Sequence, residues 1–150
     1  MYSKVLAPLD GSELAECTLE HVKAISKGCG TQDVILLSVI EPIPPSFVLP
    51  GVGREVLPAE KKIRSAVEAY LSKMAASLKK EGIAARGVVI SDQSAAEGIL
   101  DYAKDNKVDL IVISTHGKSG PSRWLLGSVA DKVARHSEVP LLVIAPAACR

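Results

Sequence analysis

Two glycines and a serine near the end of the chain have the types and spacing to hold an anion. Gly117 and Gly127 stand with nine residues between them, and Ser128 follows directly. Before them runs the apolar segment Val108-Asp-Leu-Ile-Val-Ile113, which reads as a buried strand. After them Val129-Ala-Asp-Lys-Val-Ala-Arg135 reads as a helix. A loop between a strand and a helix N-terminus gathers backbone N–H groups and the positive end of the helix dipole at one place, which suits a phosphate. Glycine lets the backbone approach such a group closely, and a serine hydroxyl there can donate to it. A tight turn and a plain serine cap would use the same residue types. The spacing and the strand–loop–helix context together favour the anion site.

Neighbouring residues suggest other chemistries that the pattern excludes. Gly117-Lys118-Ser119 resembles the end of a P-loop, but that motif needs a glycine at position 112, where valine stands. His116 lies close to Ser114 and Ser128, yet no acid partner completes a triad and no nucleophile elbow is present. Lys118 and Arg123 are cations that could neutralise phosphates or simply be solvated, and Trp124 reads as a loop anchor. Asp10 follows the first strand, where a carboxylate can accept from a ligand hydroxyl or serve the turn Asp10-Gly-Ser12. A phosphoacceptor receiver domain would cluster acids there, and Asp10 stands alone.

The elements that must position these residues alternate along the chain. Lys4–Leu9 is a strand, and Glu13 to about Lys27 has helical period with Ser12 as its cap and Gly28 and Gly30 at its end. Asp33–Ile40 is almost continuously apolar, as a strand covered on both faces should be. Residues 41–58, rich in proline and glycine, read as a long connection. A helix over 59–81 carries the stripe Ile63, Val67, Tyr70, Leu71, Met74 and Leu78. Strand 83–90, a helix from the capping box Ser94–Glu97 to about Asn106, strand 108–113, helix 128–137 and strand 140–144 complete the order. Right-handed crossovers turn that order into an open, Rossmann-like five-stranded parallel sheet with helices on both faces. Ligands of such sheets bind beyond the strand C-termini where strand order reverses, here at the ends of the first and fourth strands.

Composition narrows the partners. The 150 residues form one domain, 1–150, and 47% hydrophobic residues supply a core. A net charge of +1 and an aromatic content of 3% give no footprint for nucleic acid and no stacking platform. No apolar run is long enough for a membrane span, and a strand at the N-terminus leaves no place for a signal peptide. Cys17, Cys29 and Cys149 have neither zinc nor redox spacing and read as structural thiols in a reducing compartment.

Asp10, the connection after the second strand, and Gly117-x9-Gly127-Ser128 closely resemble the universal stress protein family, as does Leu125-Leu-Gly-Ser-Val-Ala-Asp-Lys-Val133 followed by Pro140–Ile144. The resemblance spans essentially the whole chain. It implies an adenine-nucleotide α-hydrolase-like fold with sheet order 3-2-1-4-5, a cytoplasmic homodimer, and ATP as ligand with Mg2+ or Mn2+. By the same resemblance Asp10, Val39, Ile113, Ser114, Gly117, Gly127, Ser128 and Val129 would contact the nucleotide. ATP-binding members carry Gly-x2-Gly-x9-Gly-[Ser/Thr], and here Ser114 replaces the first glycine. With no general base evident, the resemblance implies a regulatory binding protein with at most slow ATP hydrolysis. The alternative is an interaction protein of the same fold with a degenerate site. The apolar last strand, Leu141, Leu142, Val143 and Ile144, lies at a sheet edge and would pair with its copy in a second subunit.

Overall fold

The computed structural model describes residues 1–42, 53–92, 94–115 and 126–145, with side chains in the second helix from residue 58 onward. The elements are β1 (Lys4–Pro8), α1 (Glu13–Cys29), β2 (Asp33–Ile40), α2 (Gly53–Lys80), β3 (Ala85–Ser91), α3 (Ala95–Asp105), β4 (Leu110–Ser114), α4 (Ser128–His136) and β5 (Leu141–Ile144). The five strands form one sheet in the order β3-β2-β1-β4-β5, with every pair parallel. The α/β architecture and the strand order expected from the sequence are therefore those observed.

Two apolar layers cover the sheet. On one face Val5, Ala7, Val34, Leu36 and Val112 pack against α1 and α2. On the other, Leu6, Ile35, Leu37, Ile111 and Ile113 pack against α3 and α4. Residues alternate between faces along each strand, as the period of two requires. Both layers are apolar, which is why β1, β2 and β4 read as unbroken hydrophobic runs.

Local chemistry sets the helix ends. Ser12 Oγ accepts from Ala15 N at 3.1 Å and Ser94 Oγ accepts from Glu97 N at 3.2 Å, so both expected caps are present. Gly30, with φ +65°, ends α1 in the left-handed conformation that glycine adopts without strain. Gly28 lies inside α1 rather than ending it. The helix after the long connection begins at Gly53, six residues before the expected start, and passes through Pro58. Proline keeps a helical φ but, as the sixth residue of this helix, forgoes one intrahelical N–H bond. β3 starts two residues later than expected because Ile83 is buried in the turn before it.

One expectation is overturned. Cys17 is disulfide-bonded, not a free structural thiol, while Cys29 is free. The support that three free thiols gave to a reducing compartment is thereby withdrawn. Among the described residues, no helix is long and apolar enough to cross a membrane.

The contact of α2 with β3 depends on Gly87. A Cβ built there would come within 2.6 Å of Leu71 Cβ, in the middle of the helix–strand contact. Gly87→Ala is therefore expected to lower stability by about 1–3 kcal/mol through overpacking. Urea unfolding followed by circular dichroism measures it, and an unchanged midpoint would contradict the close approach.

Candidate functional site

In a sheet of parallel strands joined by right-handed crossovers, all strand C-termini lie along one edge, where the following helices begin. A pocket of about 650 Å³ opens at that edge, within the range of small-molecule sites. Asp10, Val39, Ile113, Ser114, Gly127, Ser128 and Val129 all line it. The structure thus gathers seven of the eight residues singled out from the sequence. Gly117 lies outside the described residues, as do His116, Lys118, Arg123 and Trp124.

The first turn of α4 forms one end of the pocket, through Gly127, Ser128, Val129 and Ala130. Gly127 is the N-cap and makes no side-chain cap, and Ser128 is the first helical residue. Helix geometry leaves the N–H groups of that first turn without intrahelical partners. At the other helix starts the protein supplies its own acceptors. Ser12 serves α1, while Ser94 and Glu41 serve α3, the latter accepting from Ala95 N at 2.8 Å. Among these three helices and the described residues, α4 is the one whose first turn lines the cavity with no side-chain cap from its N-cap residue. The two ends of the 115–127 segment meet there, since Gly127 N donates to Thr115 O and Thr115 N donates to Ile144 O.

β1 and β2 build the middle of the pocket. Leu9 N donates to Leu37 O at 2.8 Å, and buried Ser38 donates its hydroxyl to Leu9 O at 2.6 Å. Leu9 is thus held from both sides, and Asp10 projects just beyond it. Asp10 Oδ1 accepts from Ser12 N at 2.9 Å and from Ser12 Oγ at 2.6 Å, so the turn reading and the site position coexist. Val39 packs on α3 at Gly98, where a Cβ would lie 3.1 Å from both Val39 methyls. A glycine inside a helix costs stability relative to alanine. Here it lets α3 come close enough to hold Val39 at the pocket wall.

The sequence reading missed Ser38, Gly98 and Tyr70. Ser38 had a signal, as the single hydroxyl in an apolar strand, and Gly98 had one as a helix-interior glycine. Tyr70 had none, because a helical stripe reads as core. Its hydroxyl donates to Glu16 Oε1 at 3.0 Å, and burial, then the Glu16 carboxylate, raises its pKa well above the ordinary tyrosine value. Among the described lining residues Asp10 is the one charged side chain, and Asp10 and Tyr70 are the titratable ones.

The family model described as "Universal stress protein family" matches residues 1–145. The chain belongs to the universal stress protein family. It is 31% identical to Universal stress protein MJ0577 of Methanocaldococcus jannaschii, over 96% of this chain and 95% of that one. The solved structure of hypothetical protein MJ0577 has a TM-score of 0.84 and 32% identity, covering 96% of each chain. The universal stress protein from Archaeoglobus fulgidus in complex with dAMP shares the fold, with a TM-score of 0.64 at 19% identity over 95% of this chain and 98% of that one. Family members thus include a protein solved with an adenine nucleotide.

Removing the Ser38 hydroxyl tests how the pocket floor is held. Ser38→Ala leaves Leu9 O without its partner in a buried place and is expected to cost about 1–3 kcal/mol. Thermal unfolding of the two proteins measures it, and equal midpoints would show that Leu9 is held without the hydroxyl.

Proposed function

We propose that this universal stress protein is a regulatory module that binds ATP at the crevice between the β1 and β4 tips. The observation that carries the reading is the uncapped first turn of α4 opening into the pocket beside Ser114, Gly127 and Ser128. Phosphates would accept from the N–H groups of that turn and from the Ser128 hydroxyl. Asp10 would accept from a ribose hydroxyl, Val39 would pack on adenine, and Ile113 would line the ribose. Gly117 would approach the phosphates by the family pattern. The described lining residues offer acidic Asp10 and no cation, so a divalent ion, Mg2+ or Mn2+, would travel with the triphosphate.

Binding rather than turnover is the activity this site supports. Asp10 is tied to Ser12, and Tyr70 is held protonated against Glu16, so neither is placed as a base for an attacking water. The cytoplasmic setting is the one the family resemblance implies. Isothermal titration with ATP and magnesium tests the reading. Heat and a thermal upshift are expected for the natural chain. Gly127→Val should weaken binding at least tenfold by setting a branched side chain against the phosphates. Absence of heat at millimolar ATP would favour the alternative, an interaction protein with a degenerate site.

We further propose a homodimer through β5. Pro140 O and Ile144 O accept from β4 and the segment after it. With the period of two, the backbone groups of Leu141 and Val143 then face away from the sheet. Antiparallel pairing with a second copy would satisfy them and close the edge with twofold symmetry. Val143→Pro deletes one outward N–H and leaves the ladder to β4 intact. Sedimentation is expected to give twice the chain mass for the natural protein and the single chain mass for the variant, with unchanged circular dichroism. A natural protein sedimenting as a monomer would refute the interface.

A further inference from the structure

The pocket borders both hydrophobic layers, and its lining divides by face. Val39, Ile99, Ile113, Val129 and Ala130 belong to the layer under α3 and α4. Ala15, Val67 and Tyr70 belong to the layer under α1 and α2. Between the two faces the cavity passes over strand tips, at Asp10, Gly11, Ser114 and Thr115. The nucleotide contacts proposed above, apart from those at the strand tips and in the glycine loop, lie on the α3–α4 face. The α1–α2 face of the pocket is left for something else.

The wall on that side comes from α2. Ile63, Ala66, Val67 and Tyr70 recur at i, i+3, i+4 and i+7 and so share one stripe. One to two turns on, the same stripe is buried against the sheet at Leu71, Ala75 and Leu78, with Leu71 seated on Gly87 of β3. The N-terminal half of the stripe therefore lies where β1 has already ended, since Pro8 pairs with Leu37 while β2 and β3 run on to Ile40 and Ser91. The C-terminal half packs on protein, and the N-terminal half lines the cavity, where Ile63 is 46% exposed. Tyr70 spends its hydroxyl on Glu16, so it offers the cavity its ring. A phosphate chain has no described cation to meet it on this wall and would pass acidic Asp10 to reach it. An apolar group meets aliphatic side chains and a ring.

We propose that the α1–α2 compartment receives an apolar group carried by the nucleotide, so that the site takes amphipathic nucleotide conjugates of the acyl-adenylate class. This inference rests on the nucleotide reading above. The conjugate spans the strand tips, its nucleotide on the α3–α4 side and its chain along Ile63, Ala66 and Val67. The contribution of the chain is area-dependent, and a fully buried methylene is worth roughly fourfold in affinity.

The test compares ATP–magnesium with two non-hydrolysable adenylates, acetyl- and octanoyl-sulfamoyl adenosine, by isothermal titration. The octanoyl compound is expected to bind at least tenfold tighter than the acetyl compound. In Ile63→Glu that ratio should fall to within about twofold of unity. Ile63 is half exposed, so the variant should fold, and the ratio between two ligands cancels any general loss of affinity. Equal affinity for the two adenylates while ATP binds would overturn this inference and leave the nucleotide reading standing. An undiminished ratio in Ile63→Glu would also overturn it. Failure of ATP and both adenylates to bind would overturn both. Octanoate alone binding as tightly as the octanoyl adenylate would overturn the conjugate.

Discussion

The first turn of α4 is the feature on which the rest of the site depends. Parallel strands joined by right-handed crossovers bring the start of every helix to the edge where the strands end. Each start presents backbone N–H groups with no partner in their own helix. Ser12 answers that need for α1, and Ser94 with Glu41 answers it for α3. At α4 the capping position holds Gly127, which has no side chain to offer. One edge thus contains several helix starts of similar electrostatics, and among the described residues α4 is the one that receives no side-chain cap from its N-cap residue. The hydrogen bonds from Gly127 to Thr115 and from Thr115 to Ile144 then fix that turn to the tips of β4 and β5.

Much of this was legible in the sequence because it follows from local rules. β2 announced itself as a strand buried on both faces by eight residues with few interruptions. Ser12 and Ser94 stood where caps belong, and the alternation of strands and helices, with the family resemblance, led to the order 3-2-1-4-5. The features that escaped depend on partners distant in sequence. Cys17 gave no sign of a disulfide because spacing does not reveal a partner. The expected start of α2 at residue 59 lies six residues late because the prolines and glycines of 41–58, Pro58 among them, read as one connection, whereas the helix begins at Gly53. Ser38 looked like a lapse in an apolar strand until its hydroxyl was seen on Leu9 O, 29 positions away.

The α2 stripe shows why a helical pattern does not distinguish core from pocket wall. Ile63, Val67 and Tyr70 have the same types and spacing as Leu71, Met74 and Leu78, and the helix is continuous through both groups. The difference lies in where β1 ends, because Pro8 pairs with Leu37 while β2 and β3 continue to Ile40 and Ser91. Leu71 sits on Gly87, and over the eight residues back to Ile63 the helix rises about 12 Å, close to the roughly 13 Å that β3 advances from Gly87 to Ser91. The helix therefore follows β3 to its end, while β1 stops three residues short of that level. The shorter β1 thus leaves that half of the stripe as an apolar wall of the pocket.

That wall also explains how one pocket can border two separate cores. Within the sheet, the strands divide the layer under α1 and α2 from the layer under α3 and α4. Beyond Pro8 and Ser114 the ladder stops, the divider ends, and the two apolar layers face each other across the strand tips. The groups at the crossing are backbone and small polar side chains, Asp10, Gly11, Ser114 and Thr115. A ligand lying there meets hydrogen-bonding groups in its middle, an electropositive helix start on one face, and aliphatic walls on both faces. A free inorganic phosphate would use only the first two. The full surface is matched by a molecule that joins phosphates to apolar parts, which a nucleotide does with its base and an acylated nucleotide does at both ends.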